Sequence, residues 1–395
     1  MKVIILHNDF RVYWKGRLTY LKKYLNDKNI DFYAIELFGK GSPYIFDRYD
    51  NQEKWWTCLF PDKSSHEVTI ADLQKELFSK LDEINPDIVI TGSIVFFSGA
   101  LGIRWAKLNS KKFVMFDDAK PSQVKRNFIV RWVKNLITAQ IDGLWLPAAE
   151  YDKEYPNLNP GEILFFHGYN CIDNELFKFR EQKEMDRTVI ICVARLVPIK
   201  NLANLLKAWK LIEAKKTDYK LVIIGDGPEF EKLNKLKLNL ELETVVFLGA
   251  IPNTDIPTYF NNANAFVLPS LSESWGLVVN EALAAGLPVL LSNKINASKS
   301  LLKEGINGYG FNPHSVSSMT DRIMDYINLD AQSKHEMSEN SLRIINNMRY
   351  EDMGEQLLAA LNELIKKDSK KPGFIAGTLI NLWHGKYNTS GWDKL

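Results

Sequence analysis

"AFVLPSLSESWGLVVNEALAAGLPVLLS", residues 265–292, is the stretch whose reading decides the fold. An apolar strand ends at Ser270, a polar turn "LSES" follows, and a helix starts near Trp275-Gly276. A second apolar run, "PVLLS" (288–292), closes it. Ser272 or Ser274 can cap the helix, and Gly286 with Pro288 ends it. Two strands apolar throughout with a helix between them form a parallel crossover covered on both faces. From Gly276 to Val289 only Asn280 and Glu281 are polar, so the helix lies buried between layers. An ionised carboxylate there must be paired or hydrogen-bonded. The donors for Glu281 are a Lys or Arg, or the vicinal hydroxyls of a ribose, both of which one carboxylate can accept. Alternatively Glu281 sits on a narrow solvated edge.

The same alternation runs outward in both directions. Upstream, strand candidates fall at 2–6, 31–37, 87–92, 112–116, 143–147 and 162–166, with helical stretches at 17–26, 69–84 and 123–140. The charged stretch "FKFREQKEMDR" (177–187) has little to bury and reads as a linker. The pattern then restarts with strands at 188–195, 220–227, 245–250, 265–270, 288–292 and 308–313. The fold class is therefore α/β, with two Rossmann-like doubly wound domains facing a cleft, and ligands at the C-terminal ends of the strands. Residues 1–176 form the first domain, to which the tail 372–395 returns, and 177–371 form the second.

Length and composition agree with this division. The chain has 395 residues, 46% hydrophobic and 25% charged, enough for two cores. A net charge of +2 makes no demand for nucleic acid. The three cysteines, Cys58, Cys171 and Cys192, are scattered and odd in number, which points to a reducing compartment rather than a disulfide framework. "MKVIILHNDF" is too short in apolar residues for a signal segment and reads as a first strand, and no apolar run approaches the roughly 20 residues of a spanning helix. A cytoplasmic protein, peripheral on an inner membrane face, is the expectation.

Several charged residues fall at strand ends. Glu273 stands in the turn before the quoted helix, beside the backbone N–H groups of Gly276 and Leu277. Those amides and the positive end of the helix dipole make an anion site, and Gly276, without a Cβ, allows a phosphate close approach. The simpler reading of Glu273 is a first-turn carboxylate favoured by the dipole. In "VARLVPIKNL" Arg195 ends an apolar strand and Lys200 follows five residues on. Cations there suit a diphosphate, bidentately for Arg, or are surface charges near a turn. "IIGDGPEFEKL" places Gly225 and Gly227 in a strand-to-helix turn. "GAIP" (249–252), ending in Pro252, lines a base pocket or is a simple loop.

Taken together and in this order, Arg195 with Lys200, the Gly225-Asp226-Gly227-Pro228 turn, Gly249 and "PSLSESWGLVVNEALAAGLPVL" resemble the C-terminal domain of retaining GT-B glycosyltransferases, family 4. "LLKEGINGYGFNP" (301–313) continues the likeness, and "FFHGYNCIDNELF" (165–177) carries it weakly into the first half. The resemblance implies a nucleotide-sugar donor, UDP- or GDP-linked, and a glycan or lipid-linked acceptor. It implies that Arg195 and Lys200 hold the diphosphate and stabilise the leaving phosphate, and that Glu281 holds the ribose hydroxyls. Glu273 would touch the donor sugar, and the amides of Gly276 and Leu277 the sugar or phosphate. Cations and amides aimed at the leaving oxygen are electrostatic catalysts that remove the need for a metal, so no cofactor is expected.

The first half departs from the family pattern. "HNDFRVYWKGRLTY" has only Gly16 where many relatives have a glycine pair, and "KFVMFDDAKPS" places Asp117 and Asp118 where many have a His. Asp117 then either hydrogen-bonds sugar or acceptor hydroxyls or caps the next helix; His7 reads as structural. Arg104, Lys107, Lys111, Lys112, Lys120, Lys125, Arg126, Arg131 and Lys134, interleaved with Phe128, Ile129, Trp132 and Val133, form either a basic face for anionic lipid or a solvated helix face. The tail "FIAGTLINLWHGKYNTSGW" packs back on the first domain or meets a membrane or partner. The rival readings are a GT-B sugar-nucleotide epimerase, a periplasmic-type binding protein and a non-catalytic nucleotide-sugar-binding relative.

Overall fold

The computed structural model describes residues 1–10, 13–40, 53–124, 127–178 and 188–385. The described residues divide into two units, 1–169 together with 350–385, and 170–349.

The first unit opens with β1 (Lys2–His7), α1 (Tyr13–Asn26), β2 (Asp31–Phe38) and β3 (Trp56–Phe60). It continues through α2 (Ile70–Ile84), β4 (Ile88–Thr91), α3 (Phe97–Leu108) and β5 (Lys112–Phe116). α4 (Phe128–Thr138), β6 (Gly143–Leu146) and β7 (Leu164–His167) complete this part. The second unit starts with α5 (Asn174–Phe177), β8 (Thr188–Val193), α6 (Leu202–Glu213), β9 (Tyr219–Ile224) and α7 (Phe230–Asn239). Next come β10 (Val245–Gly249), α8 (Ile256–Asn261), β11 (Ala265–Leu268), α9 (Leu277–Ala284) and β12 (Val289–Ser292). α10 (Ser298–Leu301), β13 (Gly308–Phe311), α11 (Val316–Ile327) and α12 (Ala331–Ile345) end it, and α13 (Tyr350–Leu364) and α14 (Phe374–Leu382) return to the first unit.

Each unit is one parallel sheet. The first has the order β3-β2-β1-β4-β5-β6-β7, the second β10-β9-β8-β11-β12-β13. In both, the chain winds one way from a central strand and then the other, so each sheet has a switch point, between β1 and β4 and between β8 and β11. Val3–Leu6, Ile88–Ile90 and Phe266–Leu268 are wholly buried, which is why these strands read as continuous apolar runs. β3, an edge strand with half-buried residues, and α3, apolar on nearly every side and interrupted by Gly99 and Gly102, lie where the sequence reading placed neither strand nor helix.

The return of the chain starts at Tyr350, earlier than the expected 372. α13 packs on α1, with Gly354 against Tyr20 and Tyr24, and Gly16 under the Tyr350 hydroxyl. Beyond α13, the Lys370 N–H donates to Asp142 at 2.9 Å, Arg104 donates to the carbonyls of Ile380 (3.2 Å) and Trp383 (2.9 Å), and the Trp383 indole donates to Ile94 O at 2.7 Å. The tail is thereby fixed to the first unit as far as Gly385; the expected residues beyond lie outside the described ones, as do 179–187 of the expected linker.

These bonds correct the reading of the basic run. Arg104, Lys112 and Lys120 are buried, and the Lys107 side chain is covered within its ion pair. Lys107 donates to Asp142 at 2.7 Å, Lys112 is 3.9 Å from the same carboxylate, and the Lys120 ammonium lies 4.4 Å from the centre of the Tyr151 ring. A buried cation must be compensated, and here the partners lie far away in sequence. Lys125 and Arg126 are outside the described residues; Arg131 remains exposed.

Candidate functional site

In the second unit the loops after β8 and β11 flank the switch point, the place where open α/β sheets bind ligands. β8 ends at Val193, Arg195 follows, and Pro198–Lys200 form a single 3-10 turn. Asn201, with left-handed φ of 59°, ends that turn and ties it down. Its side-chain amide donates to Pro269 O (3.1 Å), at the end of β11, and to Pro313 O (2.8 Å), beyond β13. The Leu271 N–H donates to Ile199 O at 2.8 Å. Three loops are thus stitched into one rim.

Lys200 ion-pairs across this rim with Glu273, whose Oε1 also accepts from the Ser270 hydroxyl at 2.7 Å. Both side chains are largely but not wholly covered. The turn carrying Glu273 is held from the other side: Glu273 bridges to Ile295, Ala297 N donates to Trp275 O (3.1 Å), and Asn296 donates to Ser274 O (3.0 Å).

α9 begins at Leu277, and its N-cap is Gly276, with φ 101° and no side-chain cap. The expected caps Ser272 and Ser274 do not serve, because the turn reaches the helix through a left-handed residue. A Cβ on Gly276 would lie 3.2 Å from Ile295 and 3.7 Å from Glu273 Cγ, so the helix start and the ion pair are immediate neighbours. The first amides of α9, with no acceptor inside the helix, carry its positive end at this point. Gly286, at φ 72°, closes the helix as the sequence indicated.

The two polar residues of α9 separate in role. Asn280 is wholly buried and fully used: its Oδ1 accepts from the Trp275 indole at 2.9 Å and its Nδ2 donates to Asn170 O at 2.9 Å. Glu281 is 7% exposed and belongs to the buried face, not to a solvated edge. Leu277 is half-buried at the helix start.

Gly225 and Gly227 have a local reason. Ala194 N donates to Ile224 O, Leu196 N to Asp226 O and Glu229 N to Leu196 O, each at 2.9 Å, so the loop after β9 lies against the Arg195 loop backbone to backbone. A Cβ at Gly225 (φ 137°) would overlap the Ala194 carbonyl. The turn therefore sets where Arg195 emerges. Pro252 is exposed on the turn after the edge strand β10, where its carbonyl accepts from Asp255 N at 2.9 Å.

The first unit carries its own polar cluster at the C-terminal ends of its strands. Asp117 follows β5; its Oδ1 accepts from Ala119 N at 3.0 Å, and Ser93 and Tyr155 lie beside it. It caps no helix, since Asn127 caps α4 by accepting from Ile129 N at 2.8 Å. Burial raises the Asp117 carboxyl, and Asp118 is pushed up to about 6 by burial and then by Asp117, with Arg17 opposing. Burial and then Asp118 also raise the hydroxyls of Tyr151 and Tyr169. His7 is stacked on Phe116 at 5.5 Å, and burial lowers its imidazole from the usual value, with Asp9 opposing. Perturbed groups gathered at a strand-end site are the usual mark of function. Sequence reasoning missed Arg17, whose signal was available: a cation set in the Trp14, Leu18, Leu21, Leu25 stripe of α1, all of it buried.

Two doubly wound parallel sheets of seven and six strands in one chain define a GT-B protein. The fold is shared with HepE of Anabaena in complex with UDP, at a TM-score of 0.73 and 16% identity, covering 92% of this chain and all of that one. Residues 173–343 match the family described as Glycosyl transferases group 1. An uncharacterized glycosyltransferase of Haemophilus influenzae is 31% identical over 156 residues, 39% of this chain and 44% of that one. The poly(glycerol-phosphate) alpha-glucosyltransferase of Bacillus subtilis is 26% identical over 240 residues, 59% of this chain and 35% of that one. The chain thus spans less than half the length of these two relatives.

Proposed function

We propose that the protein is a retaining, metal-independent glycosyltransferase. It moves a hexose from a nucleotide-diphosphate donor to a glycan or lipid-linked acceptor, in the synthesis of cell-surface polysaccharide or glycolipid. The observation that carries this reading is the Lys200–Glu273 pair at the β8/β11 switch point, beside the amino end of α9. The UDP carried by HepE and the transfer named for the Bacillus relative support it.

In this reading the donor diphosphate lies between Arg195, Lys200 and the amides of Gly276 and Leu277. As the bond from the sugar carbon to the diphosphate breaks, negative charge grows on the leaving oxygen, and fixed cations and amides stabilise it there. The acceptor attacks from the same face and passes its proton to the leaving phosphate. Glu273, already oriented by Ser270, faces the sugar as a hydrogen-bond acceptor and electrostatic stabiliser. Glu281 accepts from the ribose hydroxyls. Gly225 and Gly227 place the Arg195 loop, Pro252 borders the base, and Asp117 with Asp118 holds acceptor hydroxyls. The enzyme works in the cytoplasm.

The test is to incubate the protein with UDP- and GDP-linked hexoses and follow release of the nucleoside diphosphate, with and without candidate acceptors. Acceptor-dependent release supports the proposal. No release from any donor, alone or with acceptors, contradicts it.

A further inference from the structure

Of the fifteen large hydrophobic side chains exposed among the described residues, seven lie on two helices of the first unit, α4 and α14. α4 presents Phe128 (70% exposed), Ile129 and Trp132 (55%), and of its eleven residues only Ile137 and Thr138 are buried. α14 presents Phe374 (91%), Ile375 and Leu382, turning Ala376 and Ile380 inward. The two helices pack against each other, so their exposed side chains share one surface. Scattered exposed apolar residues need no explanation, but a gathered set does.

The charges around this surface say what covers it. Neither helix contains an acidic residue. Arg131 is exposed within α4, and the segment entering α14, "IKKDSKKPG" (365–373), has four lysines and one aspartate. Lys370 turns to Glu162, while Lys366 and Lys371 stay exposed. Two copies joined face to face would bring Arg131 and Lys371 against their own kind. An anionic bilayer meets both features at once, taking the apolar side chains below the headgroups and pairing the cations with phosphates. No helix of the described residues is long and apolar enough to cross a membrane. Trp132 has the amphipathic ring that settles at such a boundary.

We propose that α4 and α14 form an interfacial helix pair that lies flat in the headgroup layer of an anionic membrane. The surface keeps Phe128, Ile129, Arg131 and Trp132 of the basic face read from the sequence, whereas Arg104, Lys112 and Lys120 of that run are internal. The proposal needs no donor or acceptor and stands apart from the reading of the nucleotide site.

The test is sedimentation of the full chain with vesicles of phosphatidylglycerol and phosphatidylcholine, or of phosphatidylcholine alone, at low and at 0.5 M salt. We expect recovery with the anionic vesicles that falls with salt. The double variant Phe374→Ser/Ile375→Ser should lower the partition coefficient at least tenfold, and Trp132→Ser should lower it several-fold. Both should leave the thermal transition unchanged, since these side chains are already exposed. Equal recovery with and without vesicles overturns the proposal, as does undiminished binding by the double variant. So does a dimer in sedimentation velocity that the double variant dissolves, because the covering partner is then a second copy.

Discussion

Lys200, on the turn after β8, and Glu273, on the loop after β11, form an ion pair across the switch point of the second sheet, and Ser270 donates to the same carboxylate oxygen at 2.7 Å. The pair is held before any ligand arrives. A diphosphate entering this rim would share Lys200 with Glu273, leaving the carboxylate still oriented by Ser270. Lys200→Ala should therefore act mainly on the chemical step, where charge develops on the leaving oxygen. Turnover should fall about 10²–10³-fold, with a much smaller change in nucleotide affinity. Kinetics beside a direct binding measurement check this; weakened nucleotide binding with turnover unchanged would make Lys200 a ground-state contact only.

Gly225 and Gly249 separate two costs. Both have positive φ, 137° and 75°, but a Cβ at Gly225 meets the Ala194 carbonyl whereas nothing lies within 4 Å of one at Gly249. Gly249→Ala should cost about 1–2 kcal/mol, the ordinary penalty of a left-handed alanine. Gly225→Ala should cost clearly more, about 3 kcal/mol or above, because backbone must move. Urea denaturation compares them, and equal costs would mean that the two loops are not closely opposed.

Asn280 gives a buried network to break. Asn280→Ala leaves the Trp275 indole and Asn170 carbonyl without their partner, each originally at 2.9 Å. A loss of about 2–4 kcal/mol is expected. Asn280→Asp, which cannot donate to Asn170 O when ionised, should be no better. A change within 0.5 kcal/mol in denaturation would contradict the network.

The acidic pair of the first unit predicts a pH dependence of stability. Asp118 titrates at about 6 in the folded chain against an ordinary 3.8, so the folded state holds its proton more tightly than the unfolded one. The folded state is then progressively destabilised as pH rises from about 4 through 6. Asp118→Asn should be more stable than the parent by about 1–3 kcal/mol above pH 7, Arg17 losing a favourable charge being what limits the gain. The difference should vanish below about pH 4. Denaturation across that range reads it, and a variant less stable at pH 7.5 would reverse the assignment.

What was legible in the sequence follows from where side chains go. Strands buried on both faces appear as continuous apolar runs, and nearly all were visible, with α9 between two of them. β3 was not, because an edge strand half in solvent carries no such run. α3 was not, because a helix apolar all round has no stripe and its glycines read as breaks. The candidate rim was legible as residue types at strand ends. The Ser270–Glu273–Lys200 chain was not, since it depends on two loops meeting 73 residues apart. For the same reason Arg104 and Lys107 counted as surface charge until their partners, 276 and 35 residues away, came into view.

The central claim is that the second unit binds a nucleoside diphosphate at the β8/β11 rim with Glu281 on the ribose. Calorimetric titration with UDP and with GDP tests it most directly. The account predicts one saturable site per chain for at least one of them, weakened by about 1–3 kcal/mol in Glu281→Ala. Binding of neither nucleotide, or binding unchanged in Glu281→Ala, would contradict it.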